Sequence, residues 1–271
     1  SGGARASLAD RGAATRHCEE PELGMSKDAN TDGAATAAAR ARDLVSRRGD
    51  IEAFIVMDVM EAAAAREAAG HRVVHMEVGQ PGTPAPRAAR EAVKRAIDSE
   101  PLGYTVALGM PRLRARIARH YAAVYGLDLD PARVVVTNGS SAAFVLTFLA
   151  LFDQGDTVAL PSPGYPCYRH ILGALGCRTV MLETGPDTRW MPTADQVAAT
   201  ARDGASGLLI ASPSNPTGTM LEPDRLAAIV DACGSAGIPF ISDEIYHGLT
   251  YEAPAETALR FSNDVVIINS F

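Results

Sequence analysis

From residue 51 onward, short continuous apolar runs alternate with longer stretches in which apolar residues recur every three or four positions. A strand covered on both faces has no polar side and reads as an unbroken apolar run. A surface helix shows a period of about 3.6 residues instead. By these rules strands are predicted at Val134 to Thr137, Thr157 to Leu160, Thr179 to Leu182, Gly207 to Ala211, Pro239 to Ser242 and Val265 to Asn269, with a further one over His71 to Val78. Helices are predicted at Pro86 to Ile97, Pro111 to Val124, Ser141 to Phe152, Tyr165 to Leu175, Thr193 to Arg202 and Pro223 to Ser235. An earlier helix follows the spacing Ile51, Phe54, Ile55, Val59, Ala62 and stops at Gly70. Strands regularly separated by helices predict an α/β fold, a mostly parallel sheet with helices on both faces.

Residues 1–50 lack this texture. They are rich in Ala, Gly, Arg and Asp with few large apolar side chains, so they bury too little to offset ordering entropy and are expected to form a disordered arm. The chain opens on Ser1, and Met25 precedes a suitable start, so residues 1–24 are expected to be leader or a fragment edge. Over the whole chain, 47% apolar and 21% charged residues exclude overall disorder. A net charge of -7 disfavours nucleic acid as a partner. The longest uncharged apolar run, Ala142 to Phe152, is too short to span a bilayer. Cys18, Cys167, Cys177 and Cys233 fall in no metal-ligand spacing, which suits reduced thiols in a cytoplasmic protein without a metal.

Chemistry-bearing residues follow the apolar runs, where an open α/β sheet places its ligands. Ser242-Asp243-Glu244-Ile245-Tyr246 delivers an acid and a phenol three residues apart, and Ser212-Pro213-Ser214-Asn215-Pro216-Thr217-Gly218 follows the run before it. An ionised Asp243 can hold a pyridine nitrogen protonated, and Asn215 and Tyr246 can hydrogen-bond a phenolic oxygen on the same ring. Upstream, Thr137-Asn138-Gly139-Ser140-Ser141 is a tight turn opening an apolar helix, an anion site by its amides and hydroxyls. Serines that merely cap the helix account for the same residues. Tyr165, in Pro161-Ser162-Pro163-Gly164-Tyr165-Pro166-Cys167-Tyr168, offers a face on which a flat ring can stack, with Tyr168 the lesser candidate. A tyrosine buried in a Pro-rich turn, turn dipeptides at Asn215-Pro216 and Thr217-Gly218, and Asp243 as a helix cap are the plain alternatives. No GxGxxG follows a strand and no GxxxxGK[ST] occurs, so nucleotide fingerprints are absent.

Taken in order, these motifs resemble those of the fold-type-I aminotransferases, the aspartate-aminotransferase-like family that uses pyridoxal 5'-phosphate. The resemblance runs from about Phe54 to Phe271. It implies that Gly139, Ser140 and Ser141 hold the cofactor phosphate, that Tyr165 stacks on the ring, and that Asn215, Asp243 and Tyr246 bind it at its edge. It further implies that Tyr104 reaches the phosphate of a neighbouring subunit, that Ser270 is another phosphate contact, and that the backbone of Gly79 lies beside the substrate carboxylate. His71, His75, His120 and His247 form no ligand spacing, and none receives a role.

In the family a lysine follows the strand ending near Ser270 and attaches the cofactor covalently. Here the lysines are Lys27, in the arm, and Lys94, inside a helix. The resemblance therefore implies a chain truncated at its C-terminus: residues 1–50 an arm, 51–80 the N-terminal segment of the small domain, and 81–271 an incomplete cofactor-binding large domain. The expected activity of the parent protein is amino-group transfer between an amino acid and a 2-oxo acid, as a homodimer, with this chain alone inactive. A carbon-sulfur β-lyase shares all these motifs, and a non-catalytic ligand-binding domain of the same fold is the alternative outside the enzymes. A transcriptional regulator would carry a basic helix-turn-helix module, for which residues 1–50 have neither length nor charge.

Overall fold

The structure is a computed structural model that describes residues 46–79 and 82–270, with residues 46–271 forming one compact unit. The expected arm therefore lies outside the described residues up to position 45, Lys27 and Cys18 with it, as do Gln80, Pro81 and Phe271.

Five parallel strands make the sheet: β1 (Thr157–Ser162), β2 (Arg178–Glu183), β3 (Gly207–Ala211), β4 (Phe240–Asp243) and β5 (Val265–Ile268). Their spatial order is β2-β1-β3-β4-β5. Among the described residues seven α-helices accompany them: α1 (Ile55–Ala68), α2 (Arg87–Ser99), α3 (Pro111–Tyr125), α4 (Ser140–Leu151), α5 (Cys167–Ala174), α6 (Ala194–Arg202) and α7 (Pro223–Ala236). No helix among the described residues is long and apolar enough to cross a membrane.

Successive strand residues point to opposite faces, and the core divides accordingly. Leu208, Ile210 and Phe240 pack with Val197 of α6 and Leu226, Ile229 and Val230 of α7. Leu209, Ile241, Val158 and Leu160 pack on the other face with Phe144 and Phe148 of α4 and Leu172 of α5. All five residues of β3 are buried, because it lies mid-sheet and is covered on both sides. Local signals agree with this packing: Pro111 and Pro223 stand in the first turns of α3 and α7, and Thr193 with Gln196 closes a capping box on α6.

Two expected strands are not strands. Residues 134–137 are extended but make no ladder: the Val136 amide donates to the Leu108 carbonyl, and Arg114 Nε donates to the Val134 carbonyl at 2.8 Å. A cavity of about 470 Å³ is lined by this segment and by β5, and no ladder joins the two. Residues 71–78 are likewise unpaired, with His75 bonded to Glu77 and Glu67 through its side chain. The helix expected from Tyr165 begins at Cys167, since the residue before a proline is driven out of the helical region and Pro166 follows Tyr165.

Gly207 opens β3 directly against Phe152. A β-carbon placed there would lie 2.4 Å from the phenyl ring, which is itself buried. Gly207→Ala is expected to cost about 1–3 kcal/mol through overpacking. Urea unfolding measures it, and an unchanged midpoint would show that the ring has room to move.

Candidate active site

The chain runs outward from β1 to β2 and then returns past β1 to β3, so the order of the sheet reverses between β1 and β3. At such a switch point the loops leaving the carboxyl ends of adjacent strands diverge and open a crevice. Tyr165 and Tyr168 follow β1, Asn215 follows β3, Asp243 ends β4 and Tyr246 stands in the turn after it. All five line one cavity of about 900 Å³, together with Ser140 at the first turn of α4 and Gly79. Phe54 closes one side and meets the Tyr165 ring edge-on at 6.3 Å.

Asp243 is the electrostatic centre of the cavity. Its carboxylate is 3% exposed, yet no basic side chain among the described residues pairs with it. Tyr168 donates its hydroxyl to Oδ2 at 2.5 Å and the Ile245 amide donates to Oδ1 at 3.0 Å. Burial pushes the Asp243 carboxyl above the ordinary carboxylate range, and these two hydrogen bonds pull it back in part. Burial, and then the nearby Asp243 charge, drive the Tyr168 phenol far upward, so it keeps its proton and remains a donor. A buried carboxylate without a cation of its own fits a ligand that brings one, such as a protonated ring nitrogen.

Tyr165 is oriented by edge-on contacts with Tyr168, at 5.3 Å between centroids, and with Phe54. Gly139 precedes α4 with φ +82, a left-handed conformation that disfavours other residues, and so turns the chain sharply into the helix. The first amides of α4 have no partner within the helix, and Ser140, in that turn, lines the cavity. Gly139 and Ser141 are exposed and do not line the cavity, nor do Ser270 and Tyr104, both exposed. Lys94 is also away from it, on α2 and paired with Glu91 at 3.2 Å.

Sequence reasoning missed one role, that of Tyr168, and two further residues at or behind the site, Arg189 and His247. Tyr168, taken as a second stacking candidate, is instead the donor to Asp243, a role that only the packing of α5 against β4 could show. Arg189, on the loop after β2, lines the cavity and pairs with Glu222 at 3.2 Å. His247 is buried behind Tyr246 and bonded on both ring nitrogens.

The family model for aminotransferase class I and II matches residues 71–271. The chain belongs to that family. Its cofactor is pyridoxal 5'-phosphate. Among curated aminotransferases, valine–pyruvate aminotransferase of Mycobacterium tuberculosis is 47% identical over 231 residues, covering 84% of this chain and 59% of that protein. Among solved structures, an aminotransferase from Mycobacterium tuberculosis superposes with a TM-score of 0.79 at 46% identity, over 84% of this chain and 59% of that one. Aspartate aminotransferase from Thermus thermophilus gives 0.79 at 27% identity, over 83% and 59%. The chain thus has the fold-type-I α/β architecture and spans about 59% of the length of these aminotransferases.

Proposed function

We propose that the protein binds pyridoxal 5'-phosphate in this crevice and serves amino-group transfer between an amino acid and a 2-oxo acid. The observation that carries this reading is the cation-free, buried Asp243 facing a cavity that Asn215, Tyr246 and Tyr165 also line. When bound, the cofactor supplies an electron sink for the carbon that carries the amino group. Asp243 holds the ring nitrogen protonated, and Tyr168 keeps the carboxylate aimed. Asn215 and Tyr246 hydrogen-bond the ring oxygen, and Tyr165 stacks on the ring face. The phosphate is held by Ser140 with the α4 amides, while Gly139 and Ser141 at the turn and Ser270, exposed outside the cavity wall, are assigned to it on the motif alone. Gly79 lies along the substrate carboxylate. Residues 51–80 serve as the small-domain segment and 81–271 as the large domain.

Tyr104 is fully exposed and stands near the exposed apolar Leu102 and Val106, as a residue reserved for a second subunit would. We therefore place it at a homodimer boundary. The free, buried thiols of Cys177 and Cys233 suit a cytoplasmic setting. The relative named valine–pyruvate aminotransferase makes valine with pyruvate the first substrate pair to assay.

Purified chain titrated with pyridoxal 5'-phosphate is expected to bind it reversibly. Borohydride reduction followed by mass analysis should find no stoichiometric adduct on Lys94, whose amine is 70% exposed and away from the cavity. Absence of binding, or a stoichiometric adduct at Lys94, would overturn the assignment of the crevice.

A further inference from the structure

His247 takes no part in the cavity wall, yet its side chain is only 4% exposed. It follows Tyr246 on the turn after β4. Its Nε2 meets the Ser212 carbonyl at 3.0 Å, and because a carbonyl only accepts, Nε2 carries the proton. Nδ1 is then an acceptor and receives the Tyr125 hydroxyl from the end of α3 at 2.7 Å. Burial lowers the imidazole below its ordinary pKa, which preserves this neutral tautomer. Behind the ring, Glu244 Oε2 lies 3.6 Å from Nδ1, while Oε1 is fixed by Ser242 Oγ, Thr257 Oγ1 and the Ala258 amide.

The bond to Ser212 matters because of what Ser212 supports. It is the first residue after β3, at the root of the loop that carries Asn215. Its amide donates to the Asp243 carbonyl at 3.0 Å and its Oγ accepts from the Leu221 amide at 2.9 Å. Farther out the loop closes on itself, with the Ser214 amide donating to the Thr219 carbonyl and the Gly218 amide to the Ser214 carbonyl. Asn215 thus stands on a self-closed loop held at its root by β4, by Leu221 and by His247. A change at that root moves Asn215 relative to Asp243 and Tyr246, which belong to the β4 side.

We infer that His247 is a positioning residue: by holding the Ser212 carbonyl it sets Asn215 against the turn bearing Tyr246, and so aligns the two hydrogen bonds offered to the cofactor's ring oxygen. This rests on the assignment of Asn215 proposed above. The test compares binding of pyridoxal 5'-phosphate with that of its 3-deoxy analogue, which lacks the ring oxygen, in the wild-type chain and its variants. His247→Asn reaches only the Nδ1 position and loses the donor to Ser212, whereas His247→Gln can keep that donor. His247→Asn is expected to weaken pyridoxal phosphate roughly tenfold, the worth of a misplaced buried hydrogen bond, while the deoxy analogue stays within about twofold. His247→Gln should recover most of the loss, and His247→Asn combined with Asn215→Ala should be no worse than Asn215→Ala alone. Should His247→Asn not fold, Tyr125→Phe, which frees the ring at Nδ1, is expected to show the same ligand-selective loss in smaller degree. Equal weakening of both ligands, or additive losses in the double variant, would overturn the inference. A wild-type chain that binds both ligands equally would overturn the ring-oxygen assignment of Asn215 itself, and this role of His247 with it.

Discussion

Asp243→Asn is expected to weaken pyridoxal phosphate binding by about 2–5 kcal/mol, roughly 30-fold or more, because a buried charge pair loses one partner. In the parent protein, transfer of the amino group should slow by orders of magnitude in this variant, since an amide cannot hold the ring nitrogen protonated. The fold should hardly notice. Asparagine keeps one acceptor for Tyr168 or the Ile245 amide, and the change removes a carboxylate that burial already disfavours. These opposing effects should leave unfolding within about 1 kcal/mol of the wild type. Calorimetric titration with the cofactor and urea unfolding of the free chain measure the two halves separately. Undiminished affinity and turnover in the variant would sink the role given to Asp243.

The second large effect concerns Glu244, the neighbour that points away from the cavity. Its carboxyl is 1% exposed, and burial pushes it from the ordinary 4.5 up to about 7 against the hydrogen bonds from Ala258, Thr257 and Ser242. The unfolded chain releases this proton near the ordinary value, whereas the folded chain keeps it until about 7. Between those limits the native state binds more protons, so stability falls as pH rises through the window. Above it the full cost applies, on the order of 3 kcal/mol at about 1.4 kcal/mol per pH unit. Asp243 acts in the same direction from a lower starting value. Glu244→Gln keeps an acceptor for the three donors and never ionises. It should match the wild type in urea at pH 4, below that window, and exceed it at pH 8; an equal difference at the two pH values would contradict the burial argument.

Much of the fold was legible in the chain itself. β3 is found at the predicted Gly207–Ala211, and β1, β2, β4 and β5 lie within two residues of expectation, because strands covered on both faces must be apolar throughout. Helix starts at Pro111 and Pro223 were legible for a local reason, since proline in a first turn gives up no hydrogen bond. The candidate residues after β1, β3 and β4 could be named because the carboxyl end of a parallel strand is a place that sequence order alone identifies.

The failures share one cause. Whether 134–137 or 71–78 pairs as a strand depends on which backbone lies beside it, and composition carries no record of that. Tyr168 became the donor to Asp243 because α5 packs on the sheet face that turns its hydroxyl to the end of β4, although 75 positions separate the two residues. His247 lay among histidines without ligand spacing, and only the fold brings Tyr125, 122 positions away, and Ser212, 35 positions away, to its two nitrogens. What the sequence determined by itself was therefore local: which segments are apolar, where they stop, and which reactive groups stand at their ends. The tertiary structure decided which of those groups share a cavity, which lie in solvent, and which buried polar atoms find partners. Hydrogen bonds and burial are set by neighbours in space, and residues so far apart in the chain become neighbours only when the whole sheet is assembled.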